Sequence, residues 1–367
     1  MPEVYAAVPV ADPLVGAGGS VPALTPRARV LAALARKPVD RKPTCNPTSI
    51  INVEMMERSG ASFPEANRDA ELMARLAETG HTVLGFDTIM PVFSIINESS
   101  ALGCEIQWNE RDNWATVRGN ICDAAEDIRI PKDFVQHPDC LAVSGAIRLL
   151  KKRFPDVAIV GKTMGPWSLG YHLFGTERFL LRTADDPDEV KRILHVLKEV
   201  TVAWALAQVE AGADALTLPD HATGDLVNSD YYREFLFEIH SELAQRIPCP
   251  VILHICGATI DRMDAIARTG FAAFHFDSKN NPQEAMATVA GRCALVGHVN
   301  NPVTLFRGTT ERVRQEVRQA CAAKVNLIGA ECAVPLISKT ENLLAIAQAT
   351  REYGTPDTDP ARAHGAV

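Results

Sequence analysis

The sequence has no long uncharged apolar run and no excess of positive charge. A membrane-spanning helix needs about 18 or more consecutive apolar residues, and no segment approaches that length. Lysine and arginine total 37 against 45 aspartate and glutamate residues, which gives a formal net charge of -8. Proteins that bind nucleic acid or anionic lipid surfaces usually carry the opposite balance. We therefore predict neither nucleic acid nor a membrane as a partner.

The chain also lacks a disulfide framework and a secretory signal. Its 9 cysteines are irregularly spaced and odd in number, whereas disulfide-rich secreted domains are short and carry an even set. Residues 1–22 have no basic beginning and no long apolar centre, and they include Glu3 and Asp12, unlike a signal peptide. These features predict a cytoplasmic protein in which each cysteine is a core residue or a ligand.

What the sequence does contain is a repeated alternation of short apolar runs and amphipathic helices. Hydrophobic residues make up 47% of the 367 residues, enough for a sizeable core. Runs typical of buried parallel strands cover residues 157–163, 213–220, 250–256, 271–277, 293–299 and 326–332. With weaker units in the N-terminal third, about eight βα units predict an α/β fold, a closed (β/α)8 TIM barrel. The alternative is an open doubly wound sheet, but no G-x-G-x-x-G motif follows an early strand.

The same pattern sets the expected domain limits. We predict a flexible leader over residues 1–22, a single catalytic barrel over residues 23–354 and a flexible tail over residues 355–367. Helices marked by caps or amphipathic periodicity are predicted over residues 26–36, 65–79, 139–153, 186–210, 230–246, 259–268, 282–290, 310–322 and 340–352. Residues 89–135 show no clear period and receive no assignment.

Metal-binding residue types collect where the predicted strands end, the edge at which βα barrels place their active sites. His254 and Cys256 are two residues apart on one strand, so their side chains face the same side, and both donors suit zinc. Cys332 ends a later strand and would add a third ligand, leaving the open fourth position of a catalytic site. The alternative is a buried cysteine beside a core histidine. Further polar residues at strand ends, which either contact a substrate or stabilise turns and helix starts, are Asp220, His221, Asp277, His298, Asn300 and Asn301.

Several segments resemble one known family. They are residues 53–106, LPDHATGDLVNSDYYREF (218–235), ILHICGAT (252–259), ALVGHVNNPVTLFRGTTERV (294–313) and AECAVPLISKTENLLAI (330–346). Over residues 24–353 the chain resembles the methylcobamide:coenzyme M methyltransferases, a branch of the uroporphyrinogen decarboxylase superfamily of βα barrels. An H-x-C motif followed by a late cysteine is that family's zinc signature. The resemblance implies a TIM barrel of the uroporphyrinogen decarboxylase type with His254, Cys256 and Cys332 as zinc ligands and catalytic residues.

This resemblance also implies a reaction. The enzyme would move a methyl group from a methylcobamide, a corrinoid carried by a separate protein, to a small thiol such as coenzyme M, with Zn2+ lowering the pKa of the thiol. Lys162 and Lys279 are candidate cations for an anionic acceptor, and a helix N-terminus is the alternative. We expect a monomer or a homodimer, as is common in this superfamily. The candidate substrate-binding residues are Asp220, Asp277, His298 and Asn300.

Two departures from known patterns bear on this interpretation. The family's usual P-G-C-G-I-P is replaced here by G-A-E-C-A over residues 329–333, which keeps the thiolate but alters the loop. Strand alternation would aim Glu331 away from Cys332, so we do not count it as a ligand. Residues 43–52 contain no arginine, whereas the decarboxylase branch clamps an acidic porphyrin with arginines there, which disfavours decarboxylation. The remaining alternatives are a methyl-donor:corrinoid methyltransferase and a non-catalytic module that binds a corrinoid protein.

Overall fold

The computed structural model describes residues 22–355 of the chain. The predicted leader (residues 1–22) and tail (residues 355–367) lie outside the described residues, except for Pro22 and Thr355. Within the described range, no helix is long and apolar enough to cross a membrane.

A parallel sheet of seven strands forms the centre of the fold. Its strands are β1 (Thr88–Ile89), β4 (Ala158–Lys162), β5 (Ala215–Pro219), β6 (Val251–His254), β7 (Ala273–His275), β8 (Ala294–Val299) and β9 (Leu327–Ala330). They lie side by side in chain order, with β1 next to β4, while β2 (Glu105–Gln107) and β3 (Thr116–Arg118) form a separate antiparallel hairpin. Each of the six predicted strands lies inside the run that predicted it. The prediction of a parallel α/β fold is confirmed.

Helices connect the strands. The α-helices are α1 (Pro26–Leu34), α2 (Val53–Ser59), α3 (Ala70–Ala77), α4 (Thr79–Thr82), α5 (Asn97–Ala101), α6 (Pro138–Arg153), α7 (Pro166–Phe174), α8 (Thr176–Asp185), α9 (Pro187–Ala211), α10 (Ser229–Tyr231), α11 (Phe237–Arg246), α12 (Ile260–Arg268), α13 (Pro282–Val289), α14 (Thr310–Ala322) and α15 (Thr340–Tyr353). Short 3-10 turns cover Glu65–Asn67, Ala125–Asp127 and Phe134–Gln136, and π-helical segments cover Tyr232–Leu236 and Asn301–Phe306.

The long helix α9 shows how the local sequence fixes these elements. Asp186 caps its first turn by accepting a hydrogen bond from the Glu189 N–H at 3.1 Å, and Pro187 occupies the first position, where no helical donor is lost. The helix ends at Gly212, whose φ of 111° lies in the left-handed region that glycine tolerates. The predicted helix over residues 186–210 therefore agrees with α9 to within one residue at each end.

One predicted helix is wrong in its extent, and two helices had no prediction. The helix predicted over residues 65–79 is a 3-10 turn followed by α3 and α4, because the Asp69 carboxylate accepts a hydrogen bond from the Leu72 N–H at 2.8 Å and begins a new helix. The interval between β4 and α9, for which no helix was predicted, holds α7 and α8. Pro166 begins α7 and Gly175 ends it, so both signals were present in the sequence.

Small apolar side chains fill the amino-terminal end of the inner face of the sheet. This buried cluster joins α1 to the strands through Val30, Ala33, Leu34, Ala158, Ala215, Ile252, Ala273, Ala294, Val296 and Leu327. Successive side chains alternate between the two faces of a strand, so residues an even number of positions from these share the inner face. At the carboxyl ends of the strands, the inner positions are Lys162, Thr217, His254, His275 and His298.

A short segment around Thr44 lies between the two edges of the sheet. The Cys45 N–H donates to the Ile328 carbonyl at 2.8 Å, and the Ile328 N–H donates to the Pro43 carbonyl at 3.0 Å, as in a parallel pair with β9. On the other side, the Asp87 N–H donates to the Thr44 carbonyl at 2.9 Å, directly before β1. The segment therefore contacts both edges.

Candidate metal centre

Three side chains of types that can bind metals meet at the carboxyl ends of β6 and β9. His254 ends β6, Cys256 lies two residues further on, and Cys332 follows β9. The Nε2 atom of His254 is 3.1 Å from Cys256 Sγ, and the Sγ atoms of Cys256 and Cys332 are 3.5 Å apart. The structure thus brings together the three residues that the H-x-C motif and the late cysteine indicated.

A main-chain carbonyl sets the tautomer of His254. Its Nδ1 atom lies 3.2 Å from the carbonyl oxygen of His275, which can only accept a hydrogen bond, so Nδ1 carries the proton in the neutral ring. The Nε2 atom then has the free lone pair and faces the cysteines. Burial lowers the pKa of His254, but the charge and hydrogen bond of Cys332 raise it. The effects that raise it are together the larger, so the pKa of His254 lies above its usual value.

The two cysteines share a hydrogen bond that shifts their pKa values in opposite directions. The hydrogen bond from the Cys256 thiol holds the pKa of Cys332 well below its usual value, although burial opposes this, and His254 lowers it further. The pKa of Cys256 is raised because this thiol donates the hydrogen bond and is buried. Cys332 is therefore the first of the two to ionise.

The donor set and its spacing fit a tetrahedral zinc ion. Zn–S bonds of about 2.3 Å and Zn–N bonds of about 2.0 Å place two ligand atoms roughly 3.5 to 3.8 Å apart. A pair of sulfur ligands belongs at the upper end of this range and a nitrogen–sulfur pair at the lower end, so the Sγ–Sγ distance of 3.5 Å and the Nε2–Sγ distance of 3.1 Å are each a few tenths of an ångström shorter. Three protein ligands leave the fourth position open, which is the catalytic pattern. No other group of three such ligands is found among residues 22–355.

Two carboxylates hold the loops around this cluster. Asp277 Oδ2 accepts a hydrogen bond from the Gly257 N–H at 2.9 Å, which fixes the chain directly after the H-x-C motif. Glu331 accepts hydrogen bonds from the Asn301 N–H at 2.7 Å and the Ser278 N–H at 3.0 Å. Burial raises the pKa of Glu331 to about 7. Glu331 therefore binds neighbouring loops and is not one of the three clustered donors.

Two further histidines of the inner face lie near the cluster. The ring centroid of His275 is 4.5 Å from that of His254, and His298 stacks on Phe276 with centroids 5.2 Å apart. Burial lowers the pKa of His275 to about 3 and that of His298 to about 4, so both rings are neutral near pH 7. Among the described residues, the Nδ1 atom of each has no hydrogen-bond partner.

Asp220 and Asn300, two of the predicted substrate-binding residues, make hydrogen bonds within the protein. Asp220 follows β5 on its outer face and is 0% exposed, and its Oδ1 atom accepts a hydrogen bond from the Ser168 N–H at 2.8 Å. Asn300 caps the π-helical segment after β8, where its Oδ1 atom accepts a hydrogen bond from the Val303 N–H at 2.7 Å. The structure therefore places Asp220 behind the sheet and uses Asn300 as a cap, whereas Asp277, described above, lies beside the cluster.

The sequence analysis missed Glu98 and Thr217. Glu98 lies on α5, is buried, and accepts a hydrogen bond from the Met164 N–H at 2.6 Å; burial raises its pKa. Glu98 belongs to the stretch without a clear period, so no sequence signal pointed to it. Thr217 is fully buried on β5, and strand alternation from Ala215 would have placed it on the inner face.

The fold and this cluster define a parallel α/β protein with a His–Cys–Cys centre at the carboxyl edge of its sheet. A sequence model of the uroporphyrinogen decarboxylase (URO-D) family matches residues 25–353. The chain belongs to this family.

Several proteins similar to this chain are methyltransferases. A methylcobamide:CoM methyltransferase of Methanosarcina barkeri is 30% identical, over 90% of this chain and 98% of its own. A methylated-thiol–coenzyme M methyltransferase of Methanosarcina mazei is 31% identical, over 92% of each chain. A solved structure of a methyltransferase from Methanosarcina mazei has a TM-score of 0.87 at 29% identity, covering 90% of this chain and 99% of that chain. These relatives confirm the predicted resemblance and the prediction of a methyltransferase.

Proposed function

We propose that this protein is a zinc-dependent methyltransferase that moves a methyl group from a methylcobamide, carried by a separate corrinoid protein, to a thiol such as coenzyme M. The observation that carries the proposal is the meeting of three donor atoms, from His254, Cys256 and Cys332, within 4.8 Å of one another. The relatives' names supply the methylcobamide and coenzyme M. A thiol reacts as its thiolate, and a metal centre with an open position provides for this ionisation.

The zinc ligands in this proposal are His254 Nε2, Cys256 Sγ and Cys332 Sγ. Bound zinc would supply a Lewis acid that lowers the pKa of a thiol in the open position. The His275 carbonyl holds the His254 ring in the tautomer that leaves Nε2 available. The reaction forms a sulfur–methyl bond after the thiol loses its proton, and it breaks a cobalt–methyl bond whose electron pair stays on the cobalt.

The candidate substrate-binding residues take different roles. We propose that His298 faces the substrates, because its Nδ1 atom is buried on the inner face without a partner among the described residues. Asp277 would position the Cys256 loop through its hydrogen bond with the Gly257 N–H. Asn300 would fix the start of the π-helical segment after β8, at the carboxyl edge of the sheet. Asp220 would hold α7 against the outer face of the sheet.

We also propose that residues 23–354 form one catalytic domain with a closed (β/α)8 barrel, in which the segment around Thr44 takes the eighth strand position. The hydrogen bonds of this segment to both edges of the sheet support closure. One buried apolar cluster that extends from Ile50 to Ala349 supports a single domain.

Metal analysis of the wild type and Cys332→Ala tests the proposed function, with Cys321→Ala as the matched control. Cys321 is half-buried on α14 and belongs to no three-ligand cluster among residues 22–355. We expect about one zinc per chain in the wild type and the control. Cys332→Ala should lose both the zinc and the coenzyme M-dependent demethylation of methylcobalamin.

Zinc-free wild type, or full activity in Cys332→Ala, would overturn the proposed mechanism. Zinc binding without thiol-dependent demethylation would instead favour a methyl-donor:corrinoid methyltransferase or a non-catalytic module that binds a corrinoid protein. Methylation of added cob(I)alamin by a small methyl donor would separate these two outcomes.

A further inference from the structure

Lys162 places a buried ammonium group on the inner face of the sheet. It ends β4, is 4% exposed, and shares the inner face with Ala158. Among the described residues, its Nζ atom makes one hydrogen bond, to the Phe93 carbonyl at 3.1 Å, and no ion pair with a carboxylate. An ammonium has three donors, and its burial without a contacting anion is costly. The site is therefore electrostatically incomplete.

Glu98 balances this charge only from a distance. Its carboxylate accepts a hydrogen bond from the Met164 N–H at 2.6 Å and forms no ion pair with Lys162. Burial lowers the pKa of Lys162 to about 8, whereas the charges of Glu98 and Cys332 raise it. The ammonium form therefore still prevails at neutral pH.

Thr217 lies beside Lys162 and has an unused hydroxyl group. The two residues are register partners on β4 and β5, and partners in a parallel pair point to the same face. Thr217 is 0% exposed, and its Oγ1 atom has no hydrogen-bond partner among the described residues. Buried polar atoms are nearly always paired with protein, water or ligand. This hydroxyl is a second, independent sign of a ligand at the same place.

The metal centre begins on the next strand. Ile252 is the register partner of Thr217 on β6, and His254 lies two residues further on the same face. Adjacent strands are about 4.8 Å apart, so Lys162, Thr217 and His254 lie on three neighbouring strands that span about 10 Å. A small molecule with a thiol at one end and an anionic group at the other fits this separation.

We propose that Lys162 Nζ and Thr217 Oγ1 bind the anionic group, a sulfonate or a carboxylate, of a small thiol whose sulfur lies at the His254–Cys256–Cys332 cluster. The anion would give the ammonium its missing partner and accept a hydrogen bond from the hydroxyl, and both contacts are strengthened in a buried site. The position of the sulfur rests on the proposed function, whereas the anion site stands on Lys162 and Thr217 alone.

Steady-state demethylation with three thiols tests the proposal. The thiols are 2-mercaptoethanesulfonate, 3-mercaptopropionate and the neutral 2-mercaptoethanol. Lys162→Met should raise KM for the anionic thiols about 10- to 100-fold, the loss expected for one charge-assisted contact, and leave kcat/KM for 2-mercaptoethanol within about twofold. Thr217→Val should act in the same direction with a smaller effect. An equal loss for charged and neutral thiols would overturn the proposal, and the two anionic thiols distinguish sulfonate from carboxylate recognition.

Lys279→Met is the matched control, because it removes the same charge from a lysine outside the anion site. Lys279 is exposed, and its Nζ atom is 3.1 Å from Asp225 Oδ2. We expect unchanged KM values for all three thiols in this variant. An effect equal to that of Lys162→Met would indicate a general electrostatic field around the mouth and would contradict a specific site.

Calorimetric titration with ethanesulfonate, which has no thiol, separates the anion site from the proposed function. The purified protein should bind ethanesulfonate, Lys162→Met should bind it at least about tenfold more weakly, and the zinc content should stay the same. Binding that depends on Lys162 in a protein without methyl transfer would sink only the proposed function. Equal binding by both proteins would sink the anion site. If Lys162→Met does not fold, the nearly isosteric Thr217→Val decides by the same two measurements.

Discussion

Asp220 Oδ2 lies 3.0 Å from His240 Nε2, and both side chains are completely buried. The His240 Nδ1 atom lies 3.1 Å from the Tyr232 hydroxyl, and Asp220 Oδ1 accepts a hydrogen bond from the Ser168 N–H at 2.8 Å. These contacts link the end of β5 to α7 and α11, so they hold the helices behind the His254–Cys256–Cys332 cluster.

Replacement of Asp220 by alanine is expected to lower the free energy of unfolding. The Ser168 N–H and His240 Nε2 would each lose a buried partner, at roughly 1–3 kcal/mol for each group. Urea unfolding measures the loss, with Asp230→Ala as the control because the Asp230 side chain is 89% exposed. If Asp220 binds substrate, as predicted from the sequence, Asp220→Ala would instead remain stable and show a raised KM for the thiol.

The buried His298 side chain is expected to lower the free energy of unfolding in mild acid. Burial lowers its folded pKa to about 4 from the ordinary value of 6.5, although Asp277 opposes the shift. As the pH falls through this interval, the unfolded chain takes up a proton that the folded protein does not bind. The free energy of unfolding should therefore fall below pH 6.5, by up to about 1.4 kcal/mol per pH unit for this residue.

The His298 contribution is isolated by comparing the wild type with His298→Gln in denaturant unfolding between pH 7 and pH 5. The variant should show a smaller fall, because glutamine does not titrate. His172, whose pKa burial lowers to about 4, is present in both proteins and cancels. Identical pH slopes would show that His298 titrates normally in the folded protein.

Asp87→Ala should destabilise the junction at which the segment around Thr44 meets the sheet. The Asp87 carboxylate is 2% exposed and contacts Arg29 at 2.8 Å, Arg41 at 2.7 Å and the Thr44 N–H at 2.8 Å. Loss of one partner from a buried charge network costs roughly 3–5 kcal/mol. Glu352→Ala, which removes an exposed partner of Arg314, should have a much smaller effect, because water screens exposed ion pairs. Similar losses in both variants would contradict a special role for the junction.

Gly329→Ala should disturb the same segment from the other side. A Cβ atom at this position would lie 2.0 Å from the Cys45 carbonyl oxygen, so the segment would have to move. Asn46 Nδ2 lies 3.5 Å from the Cys332 carbonyl oxygen, which couples this movement to the proposed zinc ligand Cys332. We expect lower zinc occupancy as well as lower stability; a variant with wild-type thermal unfolding and metal content would refute the coupling.

Much of the His254–Cys256–Cys332 cluster could be predicted from the sequence. The two-residue repeat of a strand places His254 and Cys256 on one face whatever surrounds them, and the position of Cys332 at the end of a later strand pointed to it before the family resemblance added support. The long helices were also predictable, because caps such as Asp186 and stop signals such as Gly212 act within one turn. Residues 89–135 could not be assigned, since their short elements depend on contacts with distant parts of the chain.

The sequence by itself determined the alternation of strands and helices and the donor types at the strand ends. Only the tertiary structure decided which face of each strand is the inner one, because alternation groups residues without saying which group packs on α1. That choice places Asp220 behind the sheet and Lys162 inside it, although both lie at the carboxyl end of a strand. The fold also places the Phe93 carbonyl, and no carboxylate, within hydrogen-bond distance of the Lys162 ammonium group. Phe93 is distant from Lys162 in the sequence, so this contact exists only when the chain folds.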